Sequence, residues 1–283
     1  MQTRFLDIEG TSTRCLSAGP RDAPGLLLLH GLSLTSEVWI GNIDALAENH
    51  YVVALDMLGH GFTRPPEGVP ATLKNKIEHL EAAIRVLDLA SVTISGSSYG
   101  ALVAANVVLR GRCEVRRLVI NGSGSAFNTE AQLAEFVRRI VSNYRPGLGA
   151  LSPQEWRQRM AYTVYDPTSV PCELAAVLPL CYAQQWATRC WDEAVTEMSD
   201  PVRFRPFRIL DRLESLRVPT LVVWGRDDKG GILESAEKAV ARMPNANLVV
   251  FDRCAHLPML EHPARYNEVL AHFLRDRMGA ETR

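Results

Sequence analysis

The segment from Val92 to Val103 constrains the fold of this chain more than any other. An apolar, strand-like run leads into Gly-Ser-Ser-Tyr-Gly at 96–100 and passes directly into a helix-forming run. A Gly-x-Ser-x-Gly turn between a strand and a helix is typical of a nucleophile elbow, which lifts the serine hydroxyl clear of the backbone. The following helix would direct its amide dipoles at the same point. We therefore interpret Ser98 as the candidate nucleophile, in preference to Ser97, which is less well placed between the two glycines.

Short apolar runs alternate with longer amphipathic segments over much of the chain. The apolar runs predict strands at 25–29, 51–55, 92–95, 117–120, 220–224 and 247–251. The amphipathic segments predict helices at 73–87, 101–109, 233–242 and 263–277. Aliphatic continuity is typical of strands buried on both faces of a parallel sheet, and its alternation with helices predicts a doubly wound α/β fold with a mostly parallel sheet. The opening residues, 3–8 and 13–17, predict an antiparallel edge hairpin.

The stretch from residue 125 to residue 207 breaks this alternation. It has no evident buried strand, its aromatic residues lie among helical patterns, and several prolines would divide it into short helices. We predict a helical cap at 125–207, inserted over the sheet. The α/β core would then be formed by residues 1–124 and 208–283.

Composition limits the partners that this chain can have. Its 283 residues are 47% hydrophobic and 22% charged, which is enough to bury one large core. With 31 basic against 32 acidic side chains, the chain has no overall field to hold nucleic acid or an anionic membrane, and we expect neither as a partner. We expect a small-molecule substrate, and the sequence leaves open a homodimer.

Cysteine and hydropathy patterns bear on cofactors and compartment. The six cysteines are scattered, and no Cys or His spacing indicates zinc or an iron–sulfur cluster, so we expect no metal and no cofactor. Residues 1–10 carry charged side chains and lack the apolar core of a signal peptide, and the longest apolar runs are shorter than a membrane span. Together with reduced thiols, these patterns predict a cytoplasmic enzyme.

A serine hydroxyl needs a base within hydrogen-bond reach and a group that orients the base. Asp228 and His256 each follow an apolar run, so each would lie at the carboxyl end of a separate strand. The order Ser98, Asp228, His256 is the one expected with this type of elbow. Asp227 is the neighbouring alternative for the acid. For the base, His256 is preferred to His262, which lies beside the proline that starts the last helix.

Acyl transfer also needs backbone donors directed at the developing oxyanion. An early apolar run ends in His30-Gly31-Leu32, and the flexible glycine would let the Leu32 amide turn inward. The Tyr99 amide would be the second donor. We interpret His30 as a residue that only buttresses this loop through hydrogen bonds. Asp56, an acid at the end of a strand, is interpreted as structural, with its carboxylate holding loop amides.

Taken together, these motifs resemble those of the α/β-hydrolase superfamily across nearly the whole chain. Besides the elbow, the resemblance rests on His30-Gly31 with Trp39, Asp56 to Thr63, Trp224 to Asp228, and Cys254 through Phe273-Leu274. It implies a triad of Ser98, His256 and Asp228, with the acid three residues after a glycine, and a cap that follows the sixth strand. Some relatives place the acid after the sixth strand, but that strand ends here in Asn-Gly-Ser without a carboxylate, which supports Asp228.

Within the superfamily, some segments look like those of the meta-cleavage-product hydrolases, which break C–C bonds in dienol diketo acids. The segments are Val164-Tyr165-Asp166, Trp224 to Asp228, and Phe251 to His256. The chain also differs from those enzymes, with Ser97 and Gly41 in place of Asn, Leu257 in place of Trp, and Leu178 near the cap arginine that binds their substrate carboxylate. A carboxylate without a charged partner in a desolvated pocket is heavily penalised, which favours a substrate without that group.

We therefore predict a cofactor-independent serine hydrolase that acts on an ester, thioester or lactone of a small, mostly apolar acyl compound through an acyl-enzyme. Leu178, Leu257 and Trp186 are predicted to contact this substrate. Two alternatives stay open at this point. One is C–C bond hydrolysis by the same triad, and the other is a non-hydrolytic binding or biosynthetic protein on the same fold.

Overall fold

A single eight-stranded sheet forms the centre of the molecule in a computed structural model that describes residues 1–145 and 147–275. The strands are β1 (Gln2–Ile8), β2 (Thr11–Ala18), β3 (Gly25–Leu29), β4 (Tyr51–Leu55), β5 (Val92–Ser97), β6 (Val115–Asn121), β7 (Thr220–Gly225) and β8 (Ala246–Phe251). Their spatial order is β1-β2-β4-β3-β5-β6-β7-β8. The β1–β2 and β2–β4 pairs are antiparallel and the remaining neighbouring pairs are parallel. The predicted mostly parallel sheet and its edge hairpin are confirmed.

Helices connect and flank these strands. They are α1 (Ile43–Leu46), α2 (Leu73–Val86), α3 (Tyr99–Arg110), α4 (Gly124–Phe127), α5 (Glu130–Tyr144), α6 (Pro153–Met160), α7 (Cys172–Tyr182), α8 (Gln185–Ser199), α9 (Pro201–Phe204), α10 (Leu233–Val240), α11 (Pro258–Glu261) and α12 (Pro263–Arg275). The last predicted helix starts where expected, and its residues 276 and 277 lie outside the described residues. Within the described ranges, no helix has both the length and the apolar character to cross a membrane.

The central strands are covered on both faces. Every residue of β3, β4, β5 and β7 is buried, as expected for parallel strands between two layers of helices. Helix α2 packs against α3, and α1 packs against α12. The α/β class predicted from the alternating pattern is therefore confirmed. Because β3, β5, β6, β7 and β8 run in parallel, the loops after them open at one edge of the sheet.

The chain between β6 and β7 leaves the sheet, and we call it the β6–β7 insertion. Its described residues, which are all but Pro146, form helices α4 to α9 and short 3₁₀ helices, with no strand among them. Two of its helices begin at a capping box, at Thr129 for α5 and at Ser152 for α6. The predicted helical character of this stretch agrees with these elements. Its division into a separate cap with limits at 125 and 207 stays a prediction.

Candidate active site

Ser98 lies at the turn between β5 and α3, where the chain reverses most sharply. Its φ of 51° and ψ of −116° are outside both the strand and the helix regions. The flanking glycines make this turn feasible, because a Cβ on Gly96 would lie 2.5 Å from the Ala101 nitrogen and one on Gly100 would lie 2.4 Å from the His30 oxygen. These contacts explain the Gly-x-Ser-x-Gly spacing physically.

His256 and Asp228 are hydrogen-bonded to each other, as the sequence predicts for a base and the acid that orients it. The His256 Nδ1 lies 2.8 Å from Asp228 Oδ2, and since a carboxylate can only accept, Nδ1 carries the proton. The second carboxylate oxygen, Oδ1, accepts from the Gly230 amide at 2.7 Å. The Asp228 side chain is fully buried, so its charge acts on the imidazole with little screening.

The environment of His256 favours the protonated imidazole. Burial by itself lowers the pKa of His256, but the charge of Asp228 and the hydrogen bond to it outweigh burial, and Glu261 adds to them. The net result is a pKa raised above the usual value. A raised pKa makes this imidazole a stronger proton acceptor than a free histidine side chain.

The alternative residues named for the base and the acid lie elsewhere. Asp227 is exposed and its amide donates to the Cys254 oxygen. The neighbouring Arg226 pairs with Asp252 at 2.5 Å and not with Asp227. His262 donates through Nε2 to a backbone carbonyl at 2.9 Å. None of these side chains lies on the cavity that holds Ser98, described next.

A cavity of about 250 Å³ brings the candidate residues together. Its walls are formed by residues of the loop after β3, the elbow, α5, the segment after α6 and the loops after β7 and β8: Gly31, Leu32, Ser33, Leu34, Ser98, Phe136, Arg139, Ile140, Asn143, Tyr144, Tyr162, Thr163, Asp228, Lys229, Gly230 and His256. Ser98, Asp228 and His256, which are far apart in sequence, therefore line one cavity. Most of the exposed wall area is apolar, as is usual for small-molecule sites, and the polar side chains on it include the cations Arg139 and Lys229.

The loop after β3 lies beside Ser98, as predicted for the candidate oxyanion loop. A Cβ on Gly31 would lie 3.3 Å from the Ser98 Cβ, and Leu32 lines the cavity. His30 is fully buried, and its ring bonds to the Gly31 carbonyl at 2.7 Å and to the Met57 amide at 3.0 Å. This is the buttressing role expected of His30. Tyr99 is the first residue of α3, so its amide is among the unpaired donors of a helix N-terminus.

Ser33, the residue after Leu32, connects that loop to the β6–β7 insertion. Its backbone has a positive φ of 68°, which is uncommon outside glycine. The Ser33 hydroxyl accepts a 2.6 Å hydrogen bond from the indole nitrogen of Trp191 in α8. Trp191 is buried and belongs to the β6–β7 insertion, so the insertion holds the loop whose amide is the candidate oxyanion donor.

Asp56 has the structural role expected for it. Its carboxylate accepts from the amides of Ser36 at 2.9 Å and Phe62 at 3.1 Å. It also pairs with the buried guanidinium of Arg14 at 3.1 Å. Because these contacts use both carboxylate oxygens, Asp56 holds two loops together away from the cavity.

Leu178, Leu257 and Trp186, predicted to contact substrate, do not line this cavity. Leu178 in α7 and Leu257 are completely buried in the core, and the Trp186 indole bonds to Gln184 at 2.8 Å. That these residues contact substrate stays a prediction, because the segments that approach the sheet edge are set by tertiary packing. Substrate contact by these three residues therefore has no support in the cavity geometry.

The residues that line the cavity from α5 were missed by sequence reasoning. Phe136, Ile140 and Tyr144 recur at every fourth position, and Arg139 and Asn143 follow the same spacing. This periodicity marks one face of a helix, and it is visible in the sequence. It does not say what that face covers, because the same spacing is found on any helix packed against a core.

No metal centre is indicated by the side chains that the structure describes. Groups of three or more His, Cys, Asp or Glu placed to hold a metal ion are absent from residues 1–145 and 147–275.

The sheet topology, the strained serine turn and the His256–Asp228 pair on one cavity are those of α/β hydrolases that carry a serine at the elbow. A family model described as the alpha/beta hydrolase family matches residues 26–269, and the chain belongs to this family. The protein is therefore an enzyme, a hydrolase, and the non-hydrolytic alternative receives no support from its relatives.

The relatives include enzymes of two named activities. The chain is 29% identical over 283 residues to the 2-hydroxy-6-oxo-6-(2'-aminophenyl)hexa-2,4-dienoic acid hydrolase of Metapseudomonas resinovorans, with 97% of this chain and 91% of the relative covered. It is 25% identical over 264 residues to the carboxylesterase YbfK of Bacillus subtilis, with 93% and 84% covered. The structure of the 2-hydroxy-6-oxo-6-phenylhexa-2,4-dienoate hydrolase from Rhodococcus sp. strain RHA1 shares the fold, with a TM-score of 0.80 at 23% identity, covering 97% of this chain and 100% of that chain.

Proposed function

We propose that this hydrolase cleaves an ester, thioester or lactone of a small, mostly apolar acyl compound through an acyl-enzyme on Ser98. His256 takes the Ser98 proton through Nε2 while Ser98 Oγ bonds to the substrate carbonyl carbon, and Asp228 holds the imidazole in the required tautomer. The oxyanion accepts hydrogen bonds from the amides of Leu32 and Tyr99. His256 then returns the proton to the leaving group, and water releases the acyl group by the reverse sequence.

The observation that carries this proposal is the 2.8 Å bond from His256 Nδ1 to the buried Asp228 carboxylate, on the same cavity as Ser98. With Nδ1 committed to the carboxylate, Nε2 is the ring nitrogen left to act as a base. The backbone strain at Ser98 supports the same role, because a strained elbow presents the hydroxyl to the cavity.

The cavity supports a small substrate that is largely apolar. Leu32, Leu34, Phe136 and Ile140 supply aliphatic and aromatic walls. Both oxygens of the Asp228 carboxylate are engaged, so this buried charge is not free for the substrate. A compact acyl group is therefore the part of the substrate that these walls fit best.

Substitution of Ser98 is the direct test. Ser98→Ala is expected to lower kcat for p-nitrophenyl acetate on the order of 10⁶-fold, to the background rate, because the nucleophile is removed. A fluorophosphonate probe should label the natural protein and not this variant. Ser97→Ala is the matched control, since the buried Ser97 hydroxyl has no hydrogen-bond partner among the described residues, and its activity should be close to normal. Activity retained in Ser98→Ala and lost in Ser97→Ala would reverse the assignment.

A second candidate is hydrolysis of a C–C bond next to a ketone by the same residues. It is supported by the named activity of the relative from Metapseudomonas resinovorans, a dienoic acid hydrolase. The purified protein should be given dienol diketo acids and simple aryl esters side by side. A kcat/KM at least about a hundredfold higher for the dienol diketo acid would replace the ester proposal with this one.

A further inference from the structure

Glu261, the last residue of α11, accepts hydrogen bonds from backbone amides on both sides of His256. Its Oε1 accepts from the Ala255 amide at 3.0 Å and from the Leu257 amide at 3.1 Å. Its Oε2 lies 3.1 Å from the same Ala255 amide. Hydrogen bonds to an ionised carboxylate are shorter and stronger than neutral ones, so the loop that carries the imidazole is held at two points by one side chain.

The same carboxylate reaches into the β6–β7 insertion. Oε2 accepts from the Tyr165 amide at 2.6 Å. Two residues earlier, the Thr163 carbonyl accepts from the amide of His256 at 3.0 Å. The three successive amides from Ala255 to Leu257 are therefore all bonded either to Glu261 or to the insertion. The backbone of the His256 loop cannot shift without breaking one of these bonds.

The segment that shares these bonds is also part of the cavity wall. Tyr162 and Thr163 line the cavity next to Ser98. The Thr163 hydroxyl is bonded to the hydroxyl of Tyr144, another lining residue from α5. A substrate that contacts this wall would therefore contact the segment to which the His256 loop is tied.

We propose that Glu261 is a positioning residue, which fixes the His256 imidazole for proton transfer and ties its loop to the substrate-contacting segment Tyr162 to Tyr165. This inference rests on the proposed function, in which His256 is the base. Removing the carboxylate would let the imidazole depart from the geometry needed for attack by Ser98. A displacement of about 1 Å at a reacting group can cost on the order of a hundredfold in rate.

A purely structural role for Glu261 would lower stability without changing how His256 titrates. The charges of Asp228 after β7 and Glu261 of α11 act on the imidazole, and Lys229 after β7 and Arg139 of α5 line the same cavity. Burial lowers the pKa of His256, and the charges of Asp228 and Glu261 raise it. Loss of the Glu261 charge should therefore lower that pKa, and it should move the acid limb of kcat/KM to lower pH.

The experiment compares Glu261→Gln with Glu268→Gln. Gln keeps the shape of the side chain, but it removes the charge and leaves one oxygen to accept. Glu268 lies in α12, is exposed and has no hydrogen bond or ion pair among the described residues, so its variant matches the change in charge alone. For p-nitrophenyl acetate, we expect Glu261→Gln to lower kcat by about 10- to 100-fold with little change in KM. Its acid limb should shift to lower pH, fluorophosphonate labelling of Ser98 should slow in parallel, and Glu268→Gln should match the natural protein.

The experiment distinguishes failure of this inference from failure of the proposed function. A Glu261→Gln variant that melts at a lower temperature but keeps kcat and the acid limb would overturn the inference and leave a structural role. A natural protein that neither hydrolyses the ester nor reacts with the probe would reject the proposed function. In that case, the His256 pKa from imidazole NMR in both variants still measures whether Glu261 acts on this ring, and an unchanged pKa would reject the inference as well.

Discussion

The backbone of Ser98 is strained, because its φ and ψ lie outside both the strand and the helix regions. Backbone conformations in sparsely populated regions cost of order 1–3 kcal/mol and are found mainly where the surrounding structure imposes them. The Ser98 amide donates to the Asn121 carbonyl at 2.8 Å, and the Ser98 carbonyl accepts from the Ser123 hydroxyl at 2.7 Å. Both partners come from the end of β6, so the neighbouring strand holds the turn in place.

The raised pKa of His256 leads to a prediction about pH. The imidazole must be neutral to accept the Ser98 proton, so kcat/KM should fall as pH drops through the pKa of His256. Because that pKa is raised by Asp228 and Glu261 despite burial, the midpoint of the acid limb should lie above 6.5. The measurement is kcat/KM for p-nitrophenyl acetate between about pH 5 and pH 9.

Asp228→Asn supplies the control for this assignment. Without the carboxylate charge, burial dominates and the pKa of His256 falls. The acid limb of any residual activity should therefore move to lower pH than in the natural protein. The variant should also lose about 10⁴-fold in kcat, because an amide favours the wrong tautomer of the base. An acid limb that stays in place in Asp228→Asn would show that another group titrates.

At the scale of elements, α8 connects the β6–β7 insertion to the core. Glu193 accepts from the Ala71 amide at 2.8 Å, and Glu197 accepts from the Leu73 amide at 2.7 Å. Leu73 is the first residue of α2, where a helix has unpaired donors and favours negative charge, and Ala71 lies two residues before it. Helix α8 also carries Trp191, whose indole reaches the candidate oxyanion loop.

Trp191→Phe is expected to loosen that loop. The substitution keeps an aromatic ring but removes the indole donor from the buried Ser33 hydroxyl, which also bonds to Tyr182, and the loss of one such hydrogen bond costs about 0.5–1.5 kcal/mol. Since Ser33 follows Leu32 directly, kcat should fall about tenfold or more while KM changes little. Steady-state kinetics with p-nitrophenyl acetate and a thermal melt would measure both effects.

Trp156→Phe is the matched control for this change. Trp156 is a fully buried tryptophan of the same insertion, and its indole nitrogen has no hydrogen-bond partner among the described residues. Its replacement removes similar volume without removing a hydrogen bond to the loop. If both variants lost the same amount of activity, packing alone would explain the effect and the hydrogen bond to Ser33 would have no special role.

At the scale of the whole molecule, the cavity exists only because the insertion folds back over the sheet edge. Its floor comes from loops after β3, β5, β7 and β8, and much of its wall comes from α5. Its volume of about 250 Å³ is below the range of roughly 300–1,000 Å³ that is common for drug-sized ligands. Under the proposed function, the position of α5 therefore limits the size of the acyl group.

This limit predicts a preference for short acyl chains. The kcat/KM for p-nitrophenyl butyrate should exceed that for the octanoate by about tenfold or more, because the longer chain does not fit the enclosed space. Ile140→Ala should reduce this preference, since Ile140 lines the cavity. Val141→Ala, on the exposed side of the same helix, should leave it unchanged. Equal activity on both esters in the natural protein would contradict the limit.

Much of the core could be predicted from sequence because its signals are local. Apolar runs matched strands to within a few residues, since a strand buried on both faces must be apolar along its length. The glycines on either side of Ser98 indicated a turn that admits no side chains, and the structure shows the contacts that exclude them. The contributions of α5 and of the segment from Tyr162 to Tyr165 were not predicted, because they depend on how the insertion lies over the sheet.

The amino-acid sequence by itself determined the alternating α/β core, the glycine-flanked turn at Ser98 and the chain order of Ser98, Asp228 and His256, because each follows from residue type and spacing along the backbone. The tertiary structure decided which side chains enclose the cavity and that Leu178, Leu257 and Trp186 are not among them. It also decided that Glu261 bonds across the His256 loop to the insertion. Contacts between segments so distant in sequence depend on the packing of the whole chain, and no local pattern specifies them.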